Sequence, residues 1–290
     1  MSEEEAPANA PTRVIELSVG IAAPVDDVWD AIATGDGIAR WFAPFASVEE
    51  GEGGTVSLAW EEGAEWPSRI TLWQPGERLQ MVDLSDPEAA TQGTALTVDY
   101  HLSIADGKTR VRLVNSGLPA TPDFDDHFHM MTNGWRVFLW NLKHAVERHP
   151  GVARHVISVR PWVTGSREEV WERLFGEEGL GGDGDADASP DSEPTDAFPV
   201  PSPAEGDLFH FDLDDGEVLK GRVVLCDRPW AFAGMVESLN DGVLHVEMEG
   251  SGERWRTGVW LSAYGVAEGR CDRVAEALER SMGRLFPGEG

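Results

Sequence analysis

Tyr100 is the polar side chain best placed to do chemistry, because it shares an apolar alternation with Leu96, Val98, Leu102 and Ile104 and so points to the inside of a strand. Its neighbours Asp99 and His101 fall on the opposite face and are expected in solvent. His127 and His129 lie two apart in a helical stretch, about 200° around the axis, which separates them and gives no chelating pair. His245 and Glu247 alternate with Leu244, Val246 and Met248 and are expected to point outward. No Gly-x-Ser-x-Gly nucleophile turn, phosphate-binding glycine loop or Cys/His zinc spacing occurs. Asp183, Asp185 and Asp187 alternate as in a calcium loop but lack its distal glutamate. The expectation is therefore no metal and no cofactor, and an uncertain case for catalysis in which Tyr100 is the candidate residue and Arg136 could reach the mouth of a cavity.

The elements that would position Tyr100 are legible. Phe128, Met131, Trp135, Phe138, Leu142 and Ala145 recur at steps of three and four within 123–148, one stripe of a long helix. Before it, Ile15, Leu17, Val19 and Ile21 alternate as a strand, and Pro24 opens a helix carrying Val25, Val28, Trp29 and Ile32 on one face. A second short helix is expected over Ile38 to Phe42, leaving Trp41 and Phe42 to cap the core. Strands follow at Val56, Leu58 and Trp60, at Ile70 and Leu72, at Leu79 and Met81, and at 96–104, the last turned by the hairpin signal Asp106-Gly107. A sheet closed by one amphipathic helix, an α+β class, hides both apolar faces.

The opening repeats. Val14, Ile15, Leu17 and Ile21 fall on Val156, Ile157, Val159 and Val163, and Asp26, Asp27, Val28, Trp29, Asp30 and Ile32 on Glu168, Glu169, Val170, Trp171, Glu172 and Leu174, 142 positions on. Farther along, Arg69 to Leu72 match Arg222 to Leu225, and Met81 to Asp83 resemble Met235 to Glu237. A last helix carries Cys271, Val274, Leu278, Met282 and Leu285 on one stripe. The reading is a disordered tail over 1–12, a first domain over 13–150 and a second over 155–290. The second is interrupted at 177–205, which holds nine acidic residues and no basic one and is expected to be disordered.

Composition narrows the partners. Fifty-two Asp and Glu against 23 Lys and Arg leave a formal charge of −29, which repels nucleic acid and anionic membranes and suits a protein partner with a basic surface. No run of about 18 apolar residues is present, and the acidic start does not look like a signal peptide, so a cytoplasmic location is expected. Cys226 and Cys271 are expected as buried thiols.

Taken with Trp41-Phe42, the Ala23-Pro24-x-x-x-Val28-Trp29 opening, Gly53-Gly54 and Gly134-Trp135, this order of elements resembles the SRPBCC superfamily, the helix-grip proteins related to START domains and the birch pollen allergen. Within it the chain is most similar to the subfamily like the C-terminal domain of the activator of the heat-shock-protein ATPase. The likeness covers Arg13 to Arg148 and is weaker over His155 to Phe286, where the Trp-Phe and Gly-Trp landmarks are missing. It implies two tandem helix-grip domains, each a curved antiparallel sheet around a long C-terminal helix, with a cavity between sheet and helix. The ligand would be a small hydrophobic molecule, lined by Trp41, Phe42, Trp60, Leu72, Met81, Val98, Tyr100, Met131, Trp135 and Phe138. A cyclase- or hydrolase-like enzyme and a protein-binding module are the alternatives. Two such copies packed as a pseudo-dimer would make the chain a monomer.

Overall fold

A computed structural model describes residues 11–287, except 62, 87, 88, 90–93, 177, 181–202, 252 and 253. The tail over 1–10, most of the acidic insertion and the candidate calcium triplet lie outside the described residues. The chain divides into two compact units, Met1–Gly151 and Val152–Gly290.

In unit 1 the alternating run forms β1 (Thr12–Ile21) and Pro24 leads into α1 (Val25–Ala33), with Asp26 and Asp27 in the first turn where carboxylates meet the positive end of the helix dipole. The second helix, α2 (Gly35–Ala39), begins earlier than the expected Ile38 start, because the Thr34 hydroxyl accepts from Gly37 N and caps it. A Cβ at Gly37 would stand 2.0 Å from Asp30 O, so only glycine allows the two helices to turn this tightly. That turn delivers Trp41 and Phe42, and the Trp41 indole fixes it by donating to Ala31 O at 2.8 Å.

The strands β2 (Phe45–Val48), β3 (Thr55–Ala59), β4 (Glu65–Gln74), β5 (Arg78–Asp83), β6 (Thr97–Ala105) and β7 (Lys108–Pro119) follow. They complete an antiparallel sheet in the order β1-β7-β6-β5-β4-β3-β2. Asp106 and Gly107 take φ of 51° and 73° between β6 and β7, the two-residue turn that an Asp-Gly pair favours. The long helix α3 (Asp125–Arg148) lies on the inner face. Its C-terminal end is tied to the end of β1 by Lys143 donating to Gly20 O and Ala22 N donating to Glu147.

Unit 2 contains β8 (Arg154–Val159), β9 (Trp162–Thr164), α4 (Arg167–Phe175), β10 (Leu208–Asp212), β11 (Val218–Asp227), β12 (Ala231–Val236), β13 (Gly242–Ser251), β14 (Arg254–Tyr264) and α5 (Glu268–Leu285). Its sheet runs β10-β11-β12-β13-β14-β8, with β9 also on β14. Arg160 and Pro161 stand between β8 and β9, and proline interrupts the ladder because it has no N–H to donate. Ser166 and Glu169 form a capping box at the start of α4. Cys271, Val274, Leu278 and Met282 are the buried stripe of α5, as their spacing predicts. Leu180, expected in the disordered insertion, is instead part of the core, and its carbonyl accepts from Asp212 N. Among the described residues no helix is long and apolar enough to cross a membrane.

Both sheets place the first strand of the unit beside its last. Both also carry a register shift at the same place, between Ile70 and Leu72 on β4 and between Val223 and Leu225 on β11. The shift refines the internal alignment. Ile70 pairs with Met81 and Val223 with Gly234, so the position matching Met81 is Gly234 and not Met235. A slip of one residue turns a strand over.

Candidate functional site

Paired residues across an antiparallel ladder share a face, which makes the inner lining of unit 1 readable from the register. Met81 pairs with Val98, Leu79 with Tyr100, Tyr100 with Leu113, and Val98 with Asn115. Leu72 is the exception among the expected lining residues. After the extra residue Thr71 it pairs with Gln80, on the face that holds Asp99, and Trp73 takes the inward position, edge-on to Trp29 at 5.1 Å. A bulge re-aims every side chain beyond it, and alternation in sequence does not reveal it.

The expected aromatic residues converge. Phe42 stacks on Trp41 at 5.1 Å and on Trp135 at 5.5 Å, and meets Trp60 at 5.2 Å and Phe138 at 4.7 Å edge-on. Tyr100 stands edge-on to Trp135 at 6.5 Å. Trp41, Trp135 and Tyr100 are buried, whereas Phe42, Trp60, Val98, Met131 and Phe138 keep part of their surface accessible.

Tyr100 is 2% exposed. Burial raises its pKa far above the ordinary range with no hydrogen bond contributing, so the hydroxyl is a proton donor at neutral pH and not a base. Among the described residues no side chain or carbonyl is bonded to it.

Sequence reading missed a second polar group on this face. Asn115, 1% exposed, receives the Trp135 indole N–H on Oδ1 at 3.0 Å and donates to Thr97 O at 3.1 Å. Asn141 was missed too; its amide donates to Trp41 O at 2.5 Å. Nothing in the local pattern distinguishes these asparagines from solvated ones; Asn115 betrays itself only by continuing the inward register of Val111 and Leu113.

Asp99 lies on the outer face as expected but is not in solvent. It is 7% exposed, gripped by the Arg78 guanidinium at 2.6 and 3.0 Å and by Gln80 at 3.0 Å. Burial alone would raise its pKa; the bonds from Arg78 and Gln80, with the charges of His101 and Arg78, outweigh that and hold it below the usual carboxylate range. Arg136 is exposed and its guanidinium reaches Asn133 on its own helix.

In unit 2, His245 and Glu247 lie on the face opposite Leu244, Val246 and Met248, yet His245 is 6% exposed. That face is built over by long side chains: Trp260 donates to Glu247 at 2.8 Å, and Arg160 lies over the Trp260 ring at 4.7 Å while pairing with Glu249 at 2.5 Å. Burial lowers the His245 pKa to about 4 and raises that of Glu247. The interior is packed by phenylalanines. Phe209 meets Phe211 at 5.1 Å and Phe232 at 5.5 Å, Phe175 meets Phe232 at 5.4 Å, and all four are buried. A Cβ at Gly234, the counterpart of Met81, would stand 2.4 Å from the Phe209 ring. Both cysteines are free, Cys271 buried and Cys226 half-buried, with burial and the Asp227 charge raising the Cys226 thiol to about 11. Among the described residues no group of three or more His, Cys, Asp or Glu is placed to hold a metal ion.

Residues 22–147 match the family described as Activator of Hsp90 ATPase homolog 1-like protein. No curated protein matches the chain. Among solved structures, the Aha1 dimer from Colwellia psychrerythraea is similar at 25% identity and a TM-score of 0.42, over 48% of this chain and 99% of that one. DynU16, from the dynemicin biosynthetic locus, is similar at 18% identity and 0.39, over 94% of this chain and 96% of its own. CalU16 from Micromonospora echinospora is similar at 24% and 0.35, over 47% and 77%. Over residues 22–147, less than half of its length, the chain is thus similar to the Activator of Hsp90 ATPase homolog 1-like family.

Proposed function

We propose that unit 1 holds a small hydrophobic molecule between its sheet and α3 without transforming it, and that the two units are tandem helix-grip domains of which the second has given up its cavity. The observation that carries this is the aromatic array of Phe42, Trp60, Trp135 and Phe138, which keeps accessible surface at Phe42, Trp60 and Phe138 and ends on Tyr100. A ligand oxygen or nitrogen accepting from the Tyr100 hydroxyl would fix the ligand's orientation along these rings. Apolar rings with few polar groups are the usual composition of such a site. In unit 2 the matching volume is taken by Phe209 over Gly234, which supports a structural role for that interior.

A cyclase- or hydrolase-like role would use the same hydroxyl as a donor to a substrate carbonyl. The formal charge of −29 is the feature that would serve a basic protein partner, in a chain acting as a monomer. The deciding experiment is a mass-spectrometric inventory of small molecules copurifying with the full chain, followed by titration of extracted compounds and Nile red against tryptophan fluorescence. Saturable binding weakened by Tyr100→Phe is expected; no saturable binding by any of them would overturn the reading.

A further inference from the structure

The face of unit 1 turned away from the ring-lined interior carries a basic stripe in a strongly acidic chain. Buried Thr109, Val111 and Leu113 face inward along β7, so Lys108, Arg110 and Arg112 face outward between them, at steps of about 7 Å. The ladder sets Ala105, Ser103 and His101 of β6 opposite these three, Gly20 and Ser18 of β1 beside Arg110 and Arg112, and Arg78 of β5 beside His101. At the outward positions of these four strands the cations Arg78, Lys108, Arg110 and Arg112 stand with the carboxylates Glu16 and Asp99. Both carboxylates are engaged, Asp99 by Arg78 and Gln80 and Glu16 by Arg112 at 2.7 Å. Glu147, whose charge Lys108 reaches, is itself held by Lys143 and Ala22 N. Lys108 and Arg110 are exposed and bond to no group among the described residues, the exposed Asp106 and Glu77 of the adjoining turns included.

Unit 2 answers such a pair from within. Counted from the hairpin turn, Arg254 and Arg256 of β14 take the positions of Lys108 and Arg110, since Ser251 pairs with Arg254 as Ala105 does with Lys108. There Arg256 faces Glu249 across the ladder and Arg254 lies over the Trp162 ring at 4.8 Å. In unit 1 the place of Glu249 is taken by Ser103, and the short side chains of Ser18, Ser103 and Ala105 leave the stripe open. The outward positions of β1, β5, β6 and β7 hold no Phe, Tyr or Trp on which a base could stack, and a formal charge of −29 repels nucleic acid and anionic bilayers. A short acidic segment is different. At about 0.1 M salt fields reach about 10 Å, so its carboxylates respond to the cations they touch and little to acids elsewhere. Extended, with acidic residues at alternate positions, it presents carboxylates at the same spacing of about 7 Å. We propose that Lys108, Arg110 and Arg112 form a docking surface for an extended acidic segment of a partner protein, one of whose carboxylates takes beside Arg110 the place that Glu249 holds beside Arg256. Arg112 joins by exchanging Glu16, an exposed pair of little strength. This face lies opposite the ring-lined interior, so the docking surface and the ligand-holding reading stand or fall separately.

The test follows the fluorescence anisotropy of a labelled octapeptide of alternating serine and aspartate, and of its asparagine analogue, titrated with the full chain at neutral pH in about 0.1 M NaCl. Saturable binding of the aspartate peptide alone is expected, weakened about tenfold or more in about 1 M NaCl. Arg110→Glu should weaken it about tenfold or more and Arg110→Lys less than about threefold. Lys220→Ala, which removes an exposed charge from unit 2, should leave it unchanged. No saturable binding, or equal losses from Lys220→Ala and Arg110→Glu, would overturn the docking surface. Tighter binding of oligothymidylate or of phosphatidylserine vesicles through the same arginine would overturn the choice of an acidic protein segment.

Discussion

The Trp135 indole donates to Asn115 Oδ1 at 3.0 Å while the Asn115 amide donates to Thr97 O at 3.1 Å, so one buried side chain joins the middle of α3 to the two strands beneath it. Asn115→Ala leaves the indole N–H of buried Trp135 without its acceptor and takes one bond from the carbonyl of half-buried Thr97. The expected loss is about 1–3 kcal/mol for the unsatisfied indole, read as a lower urea midpoint with an unchanged slope. Asn115→Asp, which keeps the acceptor but buries a charge, should be worse at neutral pH than at pH 4. An alanine variant as stable as the parent would show that this joint does not hold the helix in place.

Asp99 gives unit 1 an acid-sensitive contact. Its folded-state pKa is lowered by Arg78 and Gln80 against the opposing effect of burial. A carboxylate depressed in the folded state contributes stability that is fully present above its ordinary value of about 3.9 and lost as the pH falls through the folded value. Asp99→Asn should therefore lower the melting temperature at pH 7 and lose most of that difference below pH 3. Since the Arg78 side chain is 37% exposed, the effect at pH 7 should be modest, about 1–2 kcal/mol. Equal differences at both pH values would place the cause in packing instead of charge.

These two contacts mark where the sequence could and could not be read. Strands such as Ile15 to Ile21 and the buried stripe of α5 follow from periodicity because each side chain contributes separately to one apolar face. The bulge at Thr71 does not, because one extra residue changes no composition and yet moves Leu72 to the polar face and Trp73 inward. For the same reason Met235 looks like the counterpart of Met81 when the ladder assigns Gly234. Asn115 and Asp99 carry the side chains of solvated residues; their burial depends on Trp135, Arg78 and Gln80, which arrive from other elements.

Two glycine substitutions separate the interiors of the two units. Gly134→Ala in α3 would bring a Cβ to 3.6 Å from the Phe138 ring, an ordinary contact, and should stabilise unit 1 by about 0.5–1 kcal/mol through helix propensity. Gly234→Ala would bring a Cβ to 2.4 Å from Phe209 in a filled core, and overpacking there should destabilise by about 1–3 kcal/mol. Differential scanning calorimetry of the full chain reads both. A neutral Gly234→Ala would mean that the phenylalanine core of unit 2 has room to spare.

Tyr100→Phe separates a hydroxyl that waits for a ligand from one that serves the fold. Removing a hydroxyl that holds a bond in the core lowers stability by about 0.5–1.5 kcal/mol. Here burial alone, and no hydrogen bond, shifts the hydroxyl's pKa, so its removal from ligand-free protein should leave stability unchanged to within about 0.5 kcal/mol. The same change should weaken a bound acceptor-bearing ligand about three- to tenfold, the worth of one neutral hydrogen bond. Trp60→Leu, which removes a ring and not a donor, should weaken that ligand's acceptor-lacking analogue as much as the ligand itself. A Tyr100→Phe variant that melts well below the parent would show the hydroxyl to be a structural bond, and would leave the aromatic array without the polar group that makes it a binding site.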